Sequence, residues 1–292
     1  MGGFIQQLVN GLSVGSVYAL MAVGYSLVYS IMNFSNFAHG GVIMIGSYIG
    51  FFCLTGLHMS FPLAFATAAV GAGLLAVAIE RIAYNPLRKR NAPFLYFIIS
   101  AMGASIFLEN IVVATIGPTF RTYPPIFSLT PIRIGTVAIG RLDLLMFVIS
   151  AVSLSALVYI IEKTKIGLAI RATSYSSKGS TLMGVDVDKV IITIFLLGGV
   201  LAGIAGVLFG MKYTVYPQIG GITIKSFIAA VFGGLGSLPG AVIGSVLLGM
   251  IETFASGMIS SQYRDLISFS ILILMLIVRP SGIMGKTTED KA

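Results

Sequence analysis

The sequence predicts an all-α polytopic membrane protein, with about eight transmembrane helices plus one short or re-entrant helix. Three observations point there. From Met1 to Ile79 there is no Lys, Arg, Asp or Glu, and Glu80 and Arg81 are the first charges. The 292 residues are 57% hydrophobic and 10% charged, against about 25% charged in soluble domains. The basic residues fall in short stretches between apolar runs. A soluble surface must be solvated along its whole length. A hydrocarbon-spanning segment must avoid charge, because each one at mid-bilayer costs about 2.5–3.5 kcal/mol on insertion scales.

A helix needs about 20 apolar residues to cross about 30 Å of hydrocarbon. Expected spans are 4–30, 40–57, 61–80, 93–116, 142–161, 190–211, 239–257 and 264–279. Segment 4–30 is apolar for too long, and lacks the basic flank and cleavage site, to read as a removable signal. The apolar piece 225–235 is half-length and runs into Gly233-Gly234-Leu235-Gly236-Ser237-Leu238-Pro239-Gly240. It is expected to be a short or re-entrant helix, or a tilted span ending in a tight turn, because irregular backbone at membrane depth needs internal partners. Nothing reads as the ten-residue alternation of a transmembrane barrel.

Lys and Arg set the orientation. Residues 81–90 carry Arg81, Arg88, Lys89 and Arg90. Residues 162–189 carry Lys163, Lys165, Arg171, Lys178 and Lys189, and the tail carries Arg279, Lys286 and Lys291. These three segments are expected in the cytoplasm. The proline-rich stretch 117–141 must then face outward. The C-terminus returns to the cytoplasm only if 225–235 counts as a crossing, and the N-terminus lies outside if every earlier candidate crosses. The net charge of +8 thus belongs to loops beside anionic lipid and not to a nucleic-acid site.

Glycines four apart (Gly11/Gly15, Gly46/Gly50, Gly199/Gly203, Gly206/Gly210, Gly236/Gly240, Gly240/Gly244) let helix backbones approach closely, within the chain or between subunits. The runs 41–47 and 240–245 are faintly alike, from an internal duplication or from chance. Cys53 is the single cysteine, so no intrachain disulfide or cysteine metal cluster is expected, and its apolar neighbours suggest a small buried residue.

Four places carry candidate function. The polar break Asn33-Phe34-Ser35-Asn36-Phe37-Ala38-His39-Gly40-Gly41 is either a turn in which Ser35, Asn36 or His39 caps the next helix, or a broken-helix element lining a translocation path. His39 makes no metal site, since His58 is the only other histidine and no spaced carboxylate accompanies it. Glu109-Asn110 and Glu252 stand in apolar runs. Intramembrane acids are functional candidates by default. Both are expected toward the outer ends of their helices, either snorkelling or pairing with Arg121 or Arg264, or lining the path. Lastly, 162–189 is long for a connector. Short amphipathic helices are expected at 166–172 and 177–183, offering Ile166, Leu168, Ile170, Leu182, Met183 and Val185 to a soluble partner.

The chain resembles the permease subunits of branched-chain amino-acid ABC importers, in the LivH-like form that is the first of two paralogues. The resemblance rests on Gly24-Tyr25-Ser26-Leu27-Val28-Tyr29, Asn36-Phe37-Ala38-His39-Gly40 with Met44-Ile45-Gly46-Ser47-Tyr48, Arg171-Ala172 with Met183-Gly184-Val185, the block from Ala229 to Ala241, and the ending Val278-Arg279-Pro280-Ser281-Gly282-Ile283-Met284-Gly285. These blocks run in order over nearly the whole chain. Many relatives carry an acid where this chain has Gly41, and permeases for urea or short amides share much of the pattern, so the solute stays open.

The resemblance implies an ABC importer permease fold and a single permease domain over 1–292. It implies a second permease, two cytoplasmic ATPases and an extracytoplasmic solute-binding protein as partners, in the cytoplasmic membrane. It maps the ATPase-coupling loop onto Arg171, Ala172, Met183, Gly184 and Asp186, with Gly184 permitting a sharp turn. The path residues are then Asn33, Ser35, Asn36, His39, Glu109, Asn110 and Glu252. No cofactor is implied. The chain has no G-x-x-x-x-G-K-[ST] phosphate loop, so ATP hydrolysis is expected on separate subunits. A self-sufficient channel or secondary carrier would want mid-membrane carboxylates or an Asn-Pro-Ala pair, and an intramembrane enzyme would want a partnered nucleophile or a metal set. Only Glu109 and Glu252 qualify as such carboxylates, both expected near one face, so an ATP-independent channel or secondary carrier stands as the less favoured alternative, and no partnered nucleophile or metal set is read for an enzyme.

Overall fold

A computed structural model describes residues 2–126, 130–134, 137–258 and 260–285. Helices dominate: α1 Gly2–Met32, α2 His39–Thr55, α3 Phe61–Ile79, α4 Asn85–Lys89, α5 Phe94–Thr115, α6 Arg141–Lys163, α7 Lys165–Tyr175, α8 Ser177–Leu182, α9 Val187–Lys212, α10 Thr223–Gly233, α11 Leu238–Met258 and α12 Arg264–Val278. A π-helical turn, Glu80–Tyr84, joins α3 to α4, and a 3-10 turn, Pro217–Ile222, precedes α10. Among the described residues, seven helices are long and apolar enough to cross a membrane, and α2 adds a shorter apolar one of 17 residues. At 1.5 Å per residue, the 11 residues of α10 reach about 16 Å, half the hydrocarbon thickness.

Every expected span is a helix, with bounds shifted by a few residues. Two features differ from expectation. The stretch 117–141 holds a short antiparallel hairpin, β1 Ile132–Ile134 and β2 Val137–Ile139, with Arg133 opposite Ala138. The charged stretch after α3 continues it as π and α turns. Lys286 and Lys291 lie outside the described residues.

The chain forms two compact units. One comprises residues 27–124 and 155–224. Its centre is α2, α3 and α9, brought together by small residues. A Cβ on Gly203 would meet the Ala68 carbonyl oxygen at 2.6 Å, and one on Gly199 the Ala72 oxygen at 2.8 Å. A Cβ on Gly46 would likewise meet the Gly203 Cα at 2.7 Å. The glycine pairs of α2 and α9 therefore serve packing inside the chain. Ala68 sits by Gly203 and Ala76 by Gly199, so α3 and α9 run antiparallel.

Two pins fix which ends share a face of this unit. Arg88 and Asp188 form an ion pair at 3.0 Å, which joins the basic stretch after α3 to the start of α9. Arg121 and Val215 exchange backbone hydrogen bonds of 2.8 Å each, which joins the stretch after α5 to the end of α9. This is the sidedness read from Lys and Arg: 81–90 and 162–189 together, and 117–124 at the other end.

The other unit comprises 2–26, 125–154 and 225–285 within the described residues. Here α1 runs antiparallel to α11, with Gly11 against Met250 and Gly15 against Val246 and Gly249. Gln6 exchanges two 2.8 Å hydrogen bonds with the Ala138 backbone, tying β2 to α1. The turn after α10 is closed by the chain's ending: Ile283 N–H donates to Phe232 O at 3.0 Å, and Met284 N–H to Gly233 O at 2.8 Å. Gly234, Gly236 and Gly282 take φ of +115°, +81° and +76° there, a region that only glycine enters without a Cβ penalty. Two of the motif blocks read from the sequence thus meet at one turn.

Candidate functional site

The polar break 33–38 connects α1 to α2. Asn33 is exposed at φ +53°, Ser35 is half-buried, and Asn36 and His39 are buried. The expected side-chain cap from Ser35, Asn36 or His39 is absent: the residue at the cap position is Ala38, and it makes no side-chain cap bond. The reason is a contact from elsewhere in the chain. Asn36 Oδ1 accepts a 2.7 Å hydrogen bond from the Tyr84 hydroxyl. The first amides of α2 are met by backbone instead, His39 N–H donating to Asn36 O and Val42 N–H to Ala38 O, each at 3.2 Å. The break is thus held from the side by a phenol of the π-turn.

Against the same end of α2 lies the 3-10 turn. Gly40 packs on the backbone of Gly220 and on the Thr223 side chain. A cleft beside the break is lined by Asn36, His39, Val42, Phe195, Gly198 and Gly199, among others, and its volume of about 10 Å³ is the room of one water. In this conformation the cleft is too small for an amino acid.

Toward the other end of α2, Tyr123 reaches in from the stretch after α5 and donates a 2.7 Å hydrogen bond to Ser47 O. Burial pushes its phenol above the ordinary tyrosine range, against a smaller opposing effect from the Ser47 side chain. Arg121 lies over the Phe51 and Phe52 rings at 5.9 and 5.4 Å and donates to Ile116 O.

The two intramembrane acids diverge. Glu109 is half-buried and Asn110 is exposed, its amide donating to Ile106 O one turn back at 2.8 Å. Asn110 is therefore satisfied by its own helix. Glu252 is 1% exposed, which corrects the expectation of an outer-end acid snorkelling or pairing with Arg121 or Arg264. Its partner is Lys225 at the start of α10: Nζ stands 3.1 Å from Oε1 and 3.2 Å from Oε2. Tyr18 donates to Oε2 at 2.9 Å, and Ser268 donates to Oε1. Lys225 also reaches Asp265 at 2.9 Å. One carboxylate thereby ties α1, α10, α11 and α12 within their unit. Sequence reasoning missed Lys225 because it stands 27 residues away, in a piece read only for its apolar length.

The stretch 162–189 is ordered by three side-chain caps. Thr164, Ser176 and Asp186 accept from Gly167, Gly179 and Lys189 N–H, all at 3.1 Å, and so start α7, α8 and α9. The Lys189 amide, assisted by its ammonium, holds the Asp186 carboxyl below the usual aspartate range. Gly184 turns the chain at φ +81°. Arg171 and Ala172 are exposed on α7, and Arg171 donates to Ile161 O, beyond the helix start. Leu182 and Met183 stand 87% and 85% exposed. Ile166, Leu168 and Tyr175 are also exposed apolar side chains on this charged loop, whereas Ile170 is buried.

Residues 7–276 match the family described as "Branched-chain amino acid transport system / permease component". The chain belongs to this family. It is 41% identical to the high-affinity branched-chain amino acid transport system permease protein BraD of Pseudomonas aeruginosa, over 99% of this chain and 98% of that one. It is 40% identical to LivH of Escherichia coli K12 over 99% and 97% of the two chains. It is also 30% identical to a probable LivH of Methanocaldococcus jannaschii over 92% and 89%. Among solved structures, PsaBC from Streptococcus pneumoniae in complex with Fab shares the fold, with a TM-score of 0.52 over 95% of this chain and 92% of that chain, at 16% identity. The fold is thus the all-α ABC importer permease fold expected from the sequence, and the chain is a multi-pass protein of the cytoplasmic membrane.

Proposed function

We propose that this chain is the first permease subunit of an ATP-driven importer that carries branched-chain amino acids across the cytoplasmic membrane. The single observation that carries this is 40–41% identity, over essentially the whole length, to high-affinity branched-chain amino acid permeases. The whole chain acts as one permease domain. It pairs with a second permease, two ATPases on the cytoplasmic face and an extracytoplasmic solute-binding protein. It moves solute and hydrolyses nothing itself.

The loop 162–189 is the coupling element. Its caps make α7 and α8 rigid enough to transmit a push, and the exposed Leu182 and Met183 offer apolar area to an ATPase groove. Arg171, Ala172, Gly184 and Asp186 shape that surface. ATP binding draws the ATPases together, the loop moves, and the spans tilt to open the path alternately. Asn33, Ser35, Asn36 and His39 line that path near the broken start of α2; Glu109 and Asn110 border it on α5. Glu252 is a further path candidate, which holds α10 in place within its own unit. Affinity resides in the binding protein, so a wall of small and weakly polar groups suffices.

The test is leucine uptake into proteoliposomes that contain the permeases and ATPases with the binding protein outside. Uptake that needs both ATP and the binding protein is the expected result. Equal uptake by this chain alone without ATP overturns the reading in favour of a channel or secondary carrier. A Cβ at Gly184 would meet nothing within 4 Å. Gly184→Val should therefore lose uptake through backbone conformation alone, while Gly184→Asn, which tolerates positive φ, should retain it.

A further inference from the structure

Arg88 and Tyr84 stand between the coupling loop and the polar break, and the proposed function has not used them. Arg88 Nη2 is 3.0 Å from Asp188 Oδ1 in the first turn of α9, and 3.1 Å from Glu80 Oε1 at the end of α3. Glu80 is fully buried and Asp188 is 65% exposed. Between Glu80 and Arg88 lies the π-turn, closed by the Asn85 N–H donating to Glu80 O. Tyr84, the last residue of that turn, is fully buried among Phe34, Phe97 and Phe195, and its hydroxyl donates to Asn36 in the break. All of these residues belong to one compact unit.

We infer that Asp188, Arg88 and Tyr84 are positioning residues that carry the displacement of the coupling loop to the polar break. This rests on the proposed function, because it needs a loop that is driven. The two ends of the chain of contacts differ in strength. The Arg88–Asp188 pair is solvent-facing, and such pairs are weak and readily exchanged. In the Arg88–Glu80 pair the acid is fully buried, so this pair holds its partners together when the outer pair opens. Movement of the first turn of α9 therefore pulls on, or releases, Arg88 and Glu80 as a unit.

The π-turn supplies the two-state element that transmission requires. A π-turn holds one residue more than an α-turn, and single π-turns recur at functional sites. Moving that extra residue along the helix turns the side chains it passes by about 100°, one residue's share of 3.6 per turn. A ring locked between three phenylalanines and one amide oxygen cannot follow such a turn gradually. It either keeps Asn36 or leaves it. When it leaves, the start of α2 loses its lateral anchor beside the cleft, which has the room of one water.

The experiment uses the reconstituted importer with radiolabelled leucine as probe. It measures ATP hydrolysed per leucine taken up in the wild type, in Asp188→Ala, in Tyr84→Phe and in the double variant. Coupling free energies of ordinary size correspond to about fivefold effects or more, so each single variant should raise the ratio about fivefold. Because both act in one series, the double variant should raise it no further than the larger single. A ratio equal to wild type in either variant overturns the inference, whether uptake is normal or falls in step with hydrolysis, as it would after simple loss of folded protein. So does a double variant whose effect is the product of the singles. A wild type with no ATP-driven leucine uptake strikes the proposed function instead.

Discussion

Truncating Glu252 tests how the half-helix α10 is held. Glu252→Ala removes the acceptor of Tyr18 and Ser268 and the principal partner of Lys225. Breaking a buried pair by deleting one member costs about 3–5 kcal/mol, because the remaining charge is left uncompensated. Two features of the structure put this case at about 3 kcal/mol. The Lys225 side chain keeps 17% of its exposure, and Asp265 remains 2.9 Å from its ammonium. The reverse deletion, Lys225→Met, has no such relief: Glu252 is 1% exposed, so its loss belongs at the upper end, about 5 kcal/mol. Removing both charges in Lys225→Met/Glu252→Gln leaves a neutral cluster whose one amide oxygen accepts from either Tyr18 or Ser268, while its NH2 donates to the other hydroxyl. Its cost should fall well below the sum of the Lys225→Met and Glu252→Gln singles, by about 2 kcal/mol or more of coupling. The assay is equilibrium unfolding of the purified permease in mixed micelles of graded denaturing detergent. Additive effects, or a Lys225→Met that is milder than Glu252→Ala, would refute the reasoning.

Three further outcomes follow from the same geometry. Gly203→Val should drive α3 and α9 apart, since its Cβ meets the Ala68 carbonyl oxygen at 2.6 Å and the Ala69 Cα at 3.0 Å. Overpacking against backbone of this kind costs about 1–3 kcal/mol and should show as lost folded yield, which Gly203→Ala loses only in part. Tyr123 keeps its proton past the usual tyrosine range. Its contribution is fully present below the ordinary phenol value and lost as pH rises through the raised one, so ultraviolet titration of Tyr123→Phe should lack one phenolate step above the ordinary tyrosine range. Asp186 behaves oppositely. Its carboxylate is held below the usual range by the Lys189 N–H, so its cap is present at neutral pH and lost only as acid passes through the lowered value. Hydrogen exchange at Lys189 should accelerate in Asp186→Ala at pH 7 and stay slow in Asp186→Asn.

Charge avoidance made the spans legible, because hydrocarbon penalises each charge wherever it falls in a span. Which loops share a face was legible from the bias of Lys and Arg among them, and the Arg88–Asp188 and Arg121–Val215 pins agree with it. The two amphipathic pieces of 162–189 could be read because an apolar stripe on a charged loop has few other uses. The π-turn could not, since an inserted residue leaves no mark in composition. Strands of three residues in a proline-rich stretch carry too short a pattern to register. At the break, cap-forming residue types were present, but the Tyr84 hydroxyl had taken the Asn36 oxygen, a contact across 48 residues that no local rule anticipates. Glu252 was recognised as unusual from its apolar neighbours alone, whereas its partner Lys225 required the fold.

The account depends on the loop 162–189 meeting its motor in the cytoplasm. Leu182→Cys in a Cys53→Ser background presents a thiol at an 87% exposed position. A membrane-impermeant maleimide should label it in inverted vesicles only, and added ATPase subunits should protect it. Labelling from outside on intact cells would contradict the account.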